Sequence, residues 1–404
     1  MPEMKFGRYD YGAFLTFFCY AACSLVVPIS LVQLANTLHF PLGEGGMGAG
    51  GALHMGRSIA LVAAMVLCGF ASGRWGNCRT IGCALIFMVT GMLIGAFSPV
   101  YAVLFMALLV AGFGEGFVEG LATPLIQDLH KEEPGRYINF SHGFWSVGVV
   151  ATVLIAGYLL LIGVSWRWLM VGIGVITLIP VLILLLPSRK YDLHPDRKAR
   201  QDWREVSRNA GIILKMPYFW LFFAAMFLAG GGEFCLTFWL AAYIQQVYGL
   251  TPMTGGIATA CFAGGMILGR TGWGVMIHQH QLGALIIISA FAGAVVTAVF
   301  PLLNVMWVLY VMLFVSGVAT GPFWPSVQSY CAERIPQVDT TMLFILLSCA
   351  GIPGCGVFTW AMGIIGDHYG LRVSVYLVPA CFLVLGILIL CDYIYRGTLK
   401  KTSG

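Results

Sequence analysis

Two carboxylates stand four positions apart in "AGFGEGFVEGLATPLIQDL" (111–129): Glu115 and Glu119, set among glycine, alanine and large apolar residues. On a helix that spacing puts both on one face, one turn apart. Removal from water disfavours the anionic form of a carboxyl, and a second carboxylate nearby disfavours it further. A group tuned in this way can load and release a proton near neutral pH. The competing reading is a protonated Glu that simply bonds a neighbouring helix. Gly112, Gly114, Gly116 and Gly120 lie along the same segment and permit close helix contact.

Three further ionisable groups sit in apolar surroundings, where each is a functional candidate by default. Glu233 follows three glycines and suits either a substrate hydroxyl or proton exchange, against a packing hydrogen bond. His142, in "NFSHGFW", suits a proton relay to the two glutamates or a substrate donor, against a packed imidazole that never titrates. Arg57, in "HMGRSIALVAAM" with His54 one turn earlier, has three readings. It neutralises Glu115 or Glu119, it grips a carboxylate, sulfonate or phosphate bidentately, or it snorkels to the membrane surface. Among the aromatic and amide side chains, Trp145, Trp239 and Trp324 offer flat apolar faces for the C–H side of a sugar ring, and Gln328 a hydroxyl partner. Most aromatics in such segments face lipid or form interface belts.

The elements that must position these groups are membrane helices. Of 404 residues, 59% are hydrophobic and 10% charged, with mean hydropathy +0.88; soluble domains carry about a quarter charged residues. Apolar runs of near-spanning length recur along the chain and predict twelve helices. They lie near 10–35, 47–71, 80–97, 100–127, 138–163, 166–187, 217–245, 251–275, 281–300, 304–329, 339–365 and 371–395. The first follows Lys5 and Arg8 without a small-residue cleavage site, so a retained helix is expected rather than a signal peptide. Basic residues concentrate in alternate loops, at Arg74 and Arg79, Lys131 and Arg136, Arg270, Arg334 and the C-terminal tail, which predicts both termini in the cytoplasm. The net charge of +5 follows from this loop bias and calls for no nucleic-acid partner. The twelve cysteines fall mostly inside spans without a CxxC pair, and behave as small apolar residues rather than disulfides or metal ligands.

A polar, basic stretch at 188–216 divides the chain into a bundle of six spans at 1–187 and another at 217–404; the stretch itself suits the inner leaflet of the membrane. The halves repeat each other. "GRWGNCR" (73–79) and "GRTGWG" (269–274) close the second and eighth spans, with Arg74 and Arg270 196 positions apart. "LATPLIQ" (121–127) and "FWPSVQ" (323–328) end the fourth and tenth, with Pro124 and Pro325 201 apart. Duplicated six-helix halves around a central site are a common build for secondary transporters.

These motifs carry a resemblance. The Gly-Arg-x-Gly pattern after the second and eighth spans resembles the short loop motif of the major facilitator superfamily. Gly73 departs from it, because an acid usually precedes the Arg. "VEGLATPLIQDL" followed by "RYINFSHGFWSVG" resembles the fucose:proton symporter family, as do "GGGEFCLTFWLAAYI", "GPFWPSVQS" and "GDHYGLRVSVYLVP". That family carries an Asp in span one, and "FFCYAACSLVVP" has no acid. The resemblance implies an all-α membrane protein of twelve transmembrane helices in two pseudo-symmetric six-helix bundles, the major facilitator fold. It implies proton-coupled symport of a sugar or sugar derivative by alternating access. Glu119, Glu115, Glu233 and His142 would handle the proton. Arg57, Trp145, Trp239, Trp324, Gln328 and Glu233 would bind substrate, and Arg74 and Arg270 would act in gating. A monomer in a bacterial inner membrane is expected, with the proton as coupling ion and neither cofactor nor metal. Two alternatives keep the fold: an organic-anion transporter using Arg57, and an efflux antiporter. HExxH, GxSxG and phosphate-loop motifs are absent, which points away from an enzyme.

Overall fold

The computed structural model describes residues 4–130, 134–186, 203–338 and 340–402. Lys131 and most of the basic stretch, 188–202, lie outside them. Twelve segments are helices long and apolar enough to cross a membrane, and the protein is an integral multi-pass membrane protein. Large apolar side chains such as Ile59, Val66, Met106, Ile155, Ile288 and Val295 stay exposed along these helices, as lipid contact requires.

The residues divide into two compact units. The first holds Met1–His39 and Gly56–Val206, the second Phe40–Met55 and Ser207–Gly404. Six spans begin the chain: α1 (Arg8–Thr37), α2 (Met47–Trp75), α3 (Asn77–Ala96), α4 (Tyr101–Leu129), α5 (Pro134–Leu161) and α6 (Trp166–Leu185). A short helix follows, α7 (Trp203–Leu214), in the second part of the basic stretch. Then come α8 (Pro217–Tyr248), α9 (Pro252–Met276), α10 (Leu282–Val299), α11 (Met306–Thr320), α12 (Phe323–Arg334), α13 (Thr340–Tyr369), α14 (Leu371–Ser374) and α15 (Leu377–Thr402).

Both units use the same pairing. In the first, α1 packs on α5 and α6, and α3 on α4 and α6. In the second, α8 packs on α13 and α15, and α10 on α11 and α15. The repeat reaches single contacts. A Cβ on Gly116 of α4 would meet the Leu61 carbonyl oxygen of α2 at 2.1 Å; a Cβ on Gly317 of α11 would meet the Phe262 carbonyl oxygen of α9 at the same distance. Both glycines are therefore required for backbone-to-backbone packing. Gly116 and Gly317, like Leu61 and Phe262, are 201 positions apart. Gly163 and Gly370, 207 positions apart, stand at the turns before the sixth and twelfth spans, with φ of 87° and 81°, in the left-handed region that favours glycine.

Each unit also ties the end of its fourth span to its first. His130, just past α4, meets Asp10 of α1 at 2.6 Å and stacks on Tyr137. Arg334, at the end of α12, donates to the Tyr218 hydroxyl of α8 and to Asp392 of α15 at 2.8 Å.

The tenth span, read from the sequence as 304–329, is one apolar span, Met306–Arg334, whose hydrogen-bond ladder is interrupted at Gly321–Pro322 between α11 and α12. Pro322 and Pro325 have no N–H to give their helix, so two ladder bonds are lost within one turn. The fourth span carries one proline there, Pro124, and stays continuous as α4.

Candidate substrate and ion-coupling site

In the first unit, α1, α2 and α4 bring together a polar cluster inside apolar helices. Gly112 of α4 packs over the backbone of Arg57, so close that a Cβ would lie 2.5 Å from the Arg57 carbonyl oxygen. That approach sets the Arg57 guanidinium against Glu115, three residues further along α4. Arg57 Nε donates to Glu115 Oε2 at 2.6 Å, and Nη2 pairs with Oε1. The same guanidinium donates to the Ser24 hydroxyl at 2.8 Å and the Ser24 carbonyl at 3.2 Å. That carbonyl is open because the residue four positions on, Pro28, has no N–H. The side chains of Arg57 and Glu115 keep only 4% and 0% of their surfaces. A bidentate, fully hydrogen-bonded pair is the form in which buried charge is tolerated. Arg57 is thus paired with Glu115 in this structure.

Glu119 lies one turn beyond Glu115 but in different surroundings. Its side chain is half-buried, and the Tyr20 hydroxyl of α1 hydrogen-bonds its carboxylate. One further turn along, Thr123 Oγ1 is 3.0 Å from Nε2 of His142, whose ring stands 4.6 Å from Phe17. His142 is exposed, and Trp145 on the next turn of α5 is half-buried. Glu119, Tyr20, Thr123 and His142 therefore form a partly open polar track beside a closed ion pair.

The second unit carries its own buried carboxylate. Glu233 of α8 accepts from Arg270 Nη2 of α9 at 2.8 Å, and Arg270 Nε donates to the Gly321 carbonyl at 3.0 Å. Arg270 and Arg74 are thus placed differently. Arg74 is exposed in the last turn of α2, whereas Arg270 reaches inward to Glu233. The 201-residue register of the helix contacts sets Arg270 against Gly69 rather than Arg74.

The aromatic candidates separate as well. Trp239 is 1% exposed and its indole N–H donates to the Thr359 carbonyl at 3.0 Å, which places it in the core of its unit. Trp324 is half-buried with its ring against Gly351, and Gln328 donates to the Ser348 hydroxyl at 3.2 Å, tying α12 to α13. His54 stacks on Phe234, ring centroids 4.3 Å apart. The sequence reading passed over Tyr20 and Ser24. Their signal was present as two hydroxyls one turn apart in the apolar run before Pro28.

A family model, the Major Facilitator Superfamily, matches residues 12–355. The synaptic vesicle 2-related protein of Bos taurus is 26% identical over 137 residues, 33% of this chain and 25% of that protein. The chain thus spans about a quarter of the length of the curated relatives it matches. Solved structures share the fold across nearly the whole chain. The nucleoside transporter NupG superposes with a TM-score of 0.75 at 16% identity, covering 96% of this chain and 98% of that one. The E. coli fucose:proton symporter FucP superposes at 0.64 and 18%, covering 94% and 97%. The matched model, the twelve spans and the repeated six-helix pairing agree, and the chain belongs to the major facilitator superfamily of membrane transporters.

Proposed function

We propose that this transporter carries a neutral sugar or sugar derivative together with a proton by alternating access, with Glu119 as the coupling acid. The observation that carries the reading is the contrast between two carboxylates one turn apart. Glu115 is closed into an ion pair with Arg57, while Glu119 is half-buried and held by the Tyr20 hydroxyl. Glu119 can keep the Tyr20 hydroxyl as a partner in either protonation state, whereas protonating Glu115 breaks its pair with Arg57. His142 and Thr123, on the following turn, extend a path for that proton. The proton loads Glu119, substrate binds, the site changes its exposure, and both leave on the other side. Coupling requires only that loaded and empty forms interconvert more readily than half-loaded ones.

The substrate class takes support from the folds it resembles, whose named members include a fucose:proton symporter and a nucleoside transporter. Trp145, Trp324 and Gln328 remain the candidates for substrate contact. The anion-carrier reading loses its clamp, because the Arg57 guanidinium is already occupied by Glu115 and Ser24. The basic-loop asymmetry supports both termini on the cytoplasmic side; a monomer in a bacterial inner membrane is the state the family resemblance implies.

A thermal-shift screen of detergent-purified protein tests the substrate class. The panel holds neutral hexoses, deoxyhexoses, amino sugars, nucleosides, sugar acids and sulfonates. A ligand at a hundred times its dissociation constant adds about 2.7 kcal/mol of stability. A neutral sugar or nucleoside is expected to raise the melting temperature. A shift confined to the anions would overturn the assignment of a neutral substrate.

A further inference from the structure

The polar cluster of the first unit extends along two facing stripes. On α4, Glu115, Glu119, Thr123, Gln127 and the capping residue His130 keep within about 120° of one another around the helix. On α1, Ser24, Tyr20, Phe17 and Asp10 keep within about 80°. The stripes meet rung by rung. Ser24 takes Arg57, the partner of Glu115, and Tyr20 takes Glu119. Phe17 meets His142 beside Thr123, and Asp10 meets His130. The open track that starts at Glu119 thus points along α4 to His130, about 10 Å beyond Thr123. Gln127 and His142 are exposed on that stretch. Polar side chains left open in a membrane protein face water rather than lipid.

His130 is held firmly and is still within reach of solvent. Its Nε2 is 2.6 Å from Asp10 Oδ1, and the second oxygen of Asp10 accepts from the Gly7 N–H at 2.8 Å. The imidazole keeps 15% of its side-chain surface, the carboxylate 5%. Tyr137 of α5 lies flat on the ring with centroids 3.5 Å apart, and its hydroxyl accepts from the Lys5 N–H at 3.1 Å. The second unit closes the same end with another chemistry. Arg334 pairs there with Asp392, and a guanidinium keeps its proton at any ordinary pH. The titratable tie stands in the unit that carries Glu119.

We infer that His130, held by Asp10, is the relay through which the proton released by Glu119 leaves on the cytoplasmic side. This rests on the coupling role and the topology proposed above, and adds the inner end of the path. Glu119 gives its proton to the hydrated track at His142. His130 takes one on Nδ1 while its Nε2–H stays hydrogen-bonded to Asp10, and then yields one to the cytoplasm. One proton enters and one leaves, and no other bond changes. The neighbouring charged groups are engaged elsewhere. Arg8 donates to the Ile183 and Leu186 carbonyls at the end of α6, and Asp128 accepts from Asn77 of α3. Lys131, Glu132 and Glu133 lie outside the described residues. Among Asp10, Asp128, Arg8, Lys5, Tyr137 and His130, only the imidazole ordinarily changes charge between pH 5 and 8.

Transport in right-side-out membrane vesicles tests this, with equal pH on the two sides and radiolabelled fucose and uridine as probes. Net efflux requires a proton to be drawn from the inside on every cycle, whereas equilibrium exchange moves only loaded carriers. In His130→Gln, which keeps a donor for Asp10 but cannot titrate, net efflux is expected to be about tenfold slower with exchange unchanged. Imidazole in the buffer on both sides should restore net efflux to His130→Ala. A second measurement needs no substrate. In spectra of the full chain in detergent with nitrogen-15 in its histidines, the signals missing from His130→Gln should pass from neutral imidazole to imidazolium between pH 8 and pH 5. Net efflux at the wild-type rate in His130→Gln, or exchange slowed by the same factor, overturns the inference. So does a His130 signal that stays in one form across that range, or a His130→Ala protein with intact exchange that imidazole does not rescue. Glu119→Gln separates the two proposals. It should stop net efflux altogether and leave the His130 titration in place, so failure of either reading shows without the other.

Discussion

Glu119→Gln abolishes accumulation of substrate against its gradient and leaves counterflow exchange running near the wild-type rate. Gln keeps the size of Glu and can still accept from the Tyr20 hydroxyl, so the geometry around α1 and α4 is preserved. It cannot take up a proton. The halves of a transport cycle that need a proton to enter or leave then stop. Exchange of one substrate molecule for another, which moves only loaded carriers, continues. In proteoliposomes with an imposed proton gradient, the ratio of internal to external substrate falls to unity in the variant. Accumulation that persists in Glu119→Gln places the coupling acid elsewhere, with Glu233 the next candidate. The same assay on Tyr20→Phe separates positioning from chemistry. It keeps a titratable Glu119 but loses the hydrogen bond, so its accumulation shifts in pH profile rather than disappearing.

The second large effect is on stability. Arg57→Leu leaves Glu115, a group with no accessible surface, without its partner and opens the Ser24 carbonyl as well. Breaking a buried pair from one side typically costs about 3–5 kcal/mol. The expected result is a large fall in melting temperature in detergent, or loss of folded protein. Arg57→Leu combined with Glu115→Leu removes both charges together and recovers most of the loss, since apolar replacement of a whole buried pair is often neutral. If the double variant is no more stable than the single one, the pair is not what holds α2 against α4. A carrier that used Arg57 to bind an anion would behave differently. Its single variant would fold normally and lose only the substrate.

Much of this was legible in the residues, and the omissions have physical causes. Apolar run length marks a membrane helix almost regardless of packing, so the twelve spans were readable. The repeat was readable from Pro124 and Pro325, whose 201-residue spacing recurs in the glycine contacts of Gly116 and Gly317. The pairing of Arg57 with a glutamate was one of three open readings. Nothing in "HMGRSIALVAAM" says that Gly112 lets α4 come close enough to decide it. The placement of Arg270 was missed because matching it with Arg74 assumed that the loop motifs share one register. The helix contacts run in another, which turns Arg270 inward. The burial of Trp239 was not legible because α8 is apolar around much of its circumference, and such a helix carries no stripe that tells its inner from its outer face. The interrupted ladder within the tenth span needed two prolines read together with the carbonyls they open. The same reading applied to Pro28 explains why a serine four residues earlier receives an arginine.

The measurement that tests the central claim most directly is proton movement in energy-depleted cells that express the protein. A pH electrode records the unbuffered medium while a neutral sugar or nucleoside chosen from the thermal-shift panel is added. The account predicts alkalinisation on addition to wild-type cells, as substrate draws protons inward, and none with Glu119→Gln. Substrate entering wild-type cells without alkalinisation, or alkalinisation that survives in Glu119→Gln, would contradict it.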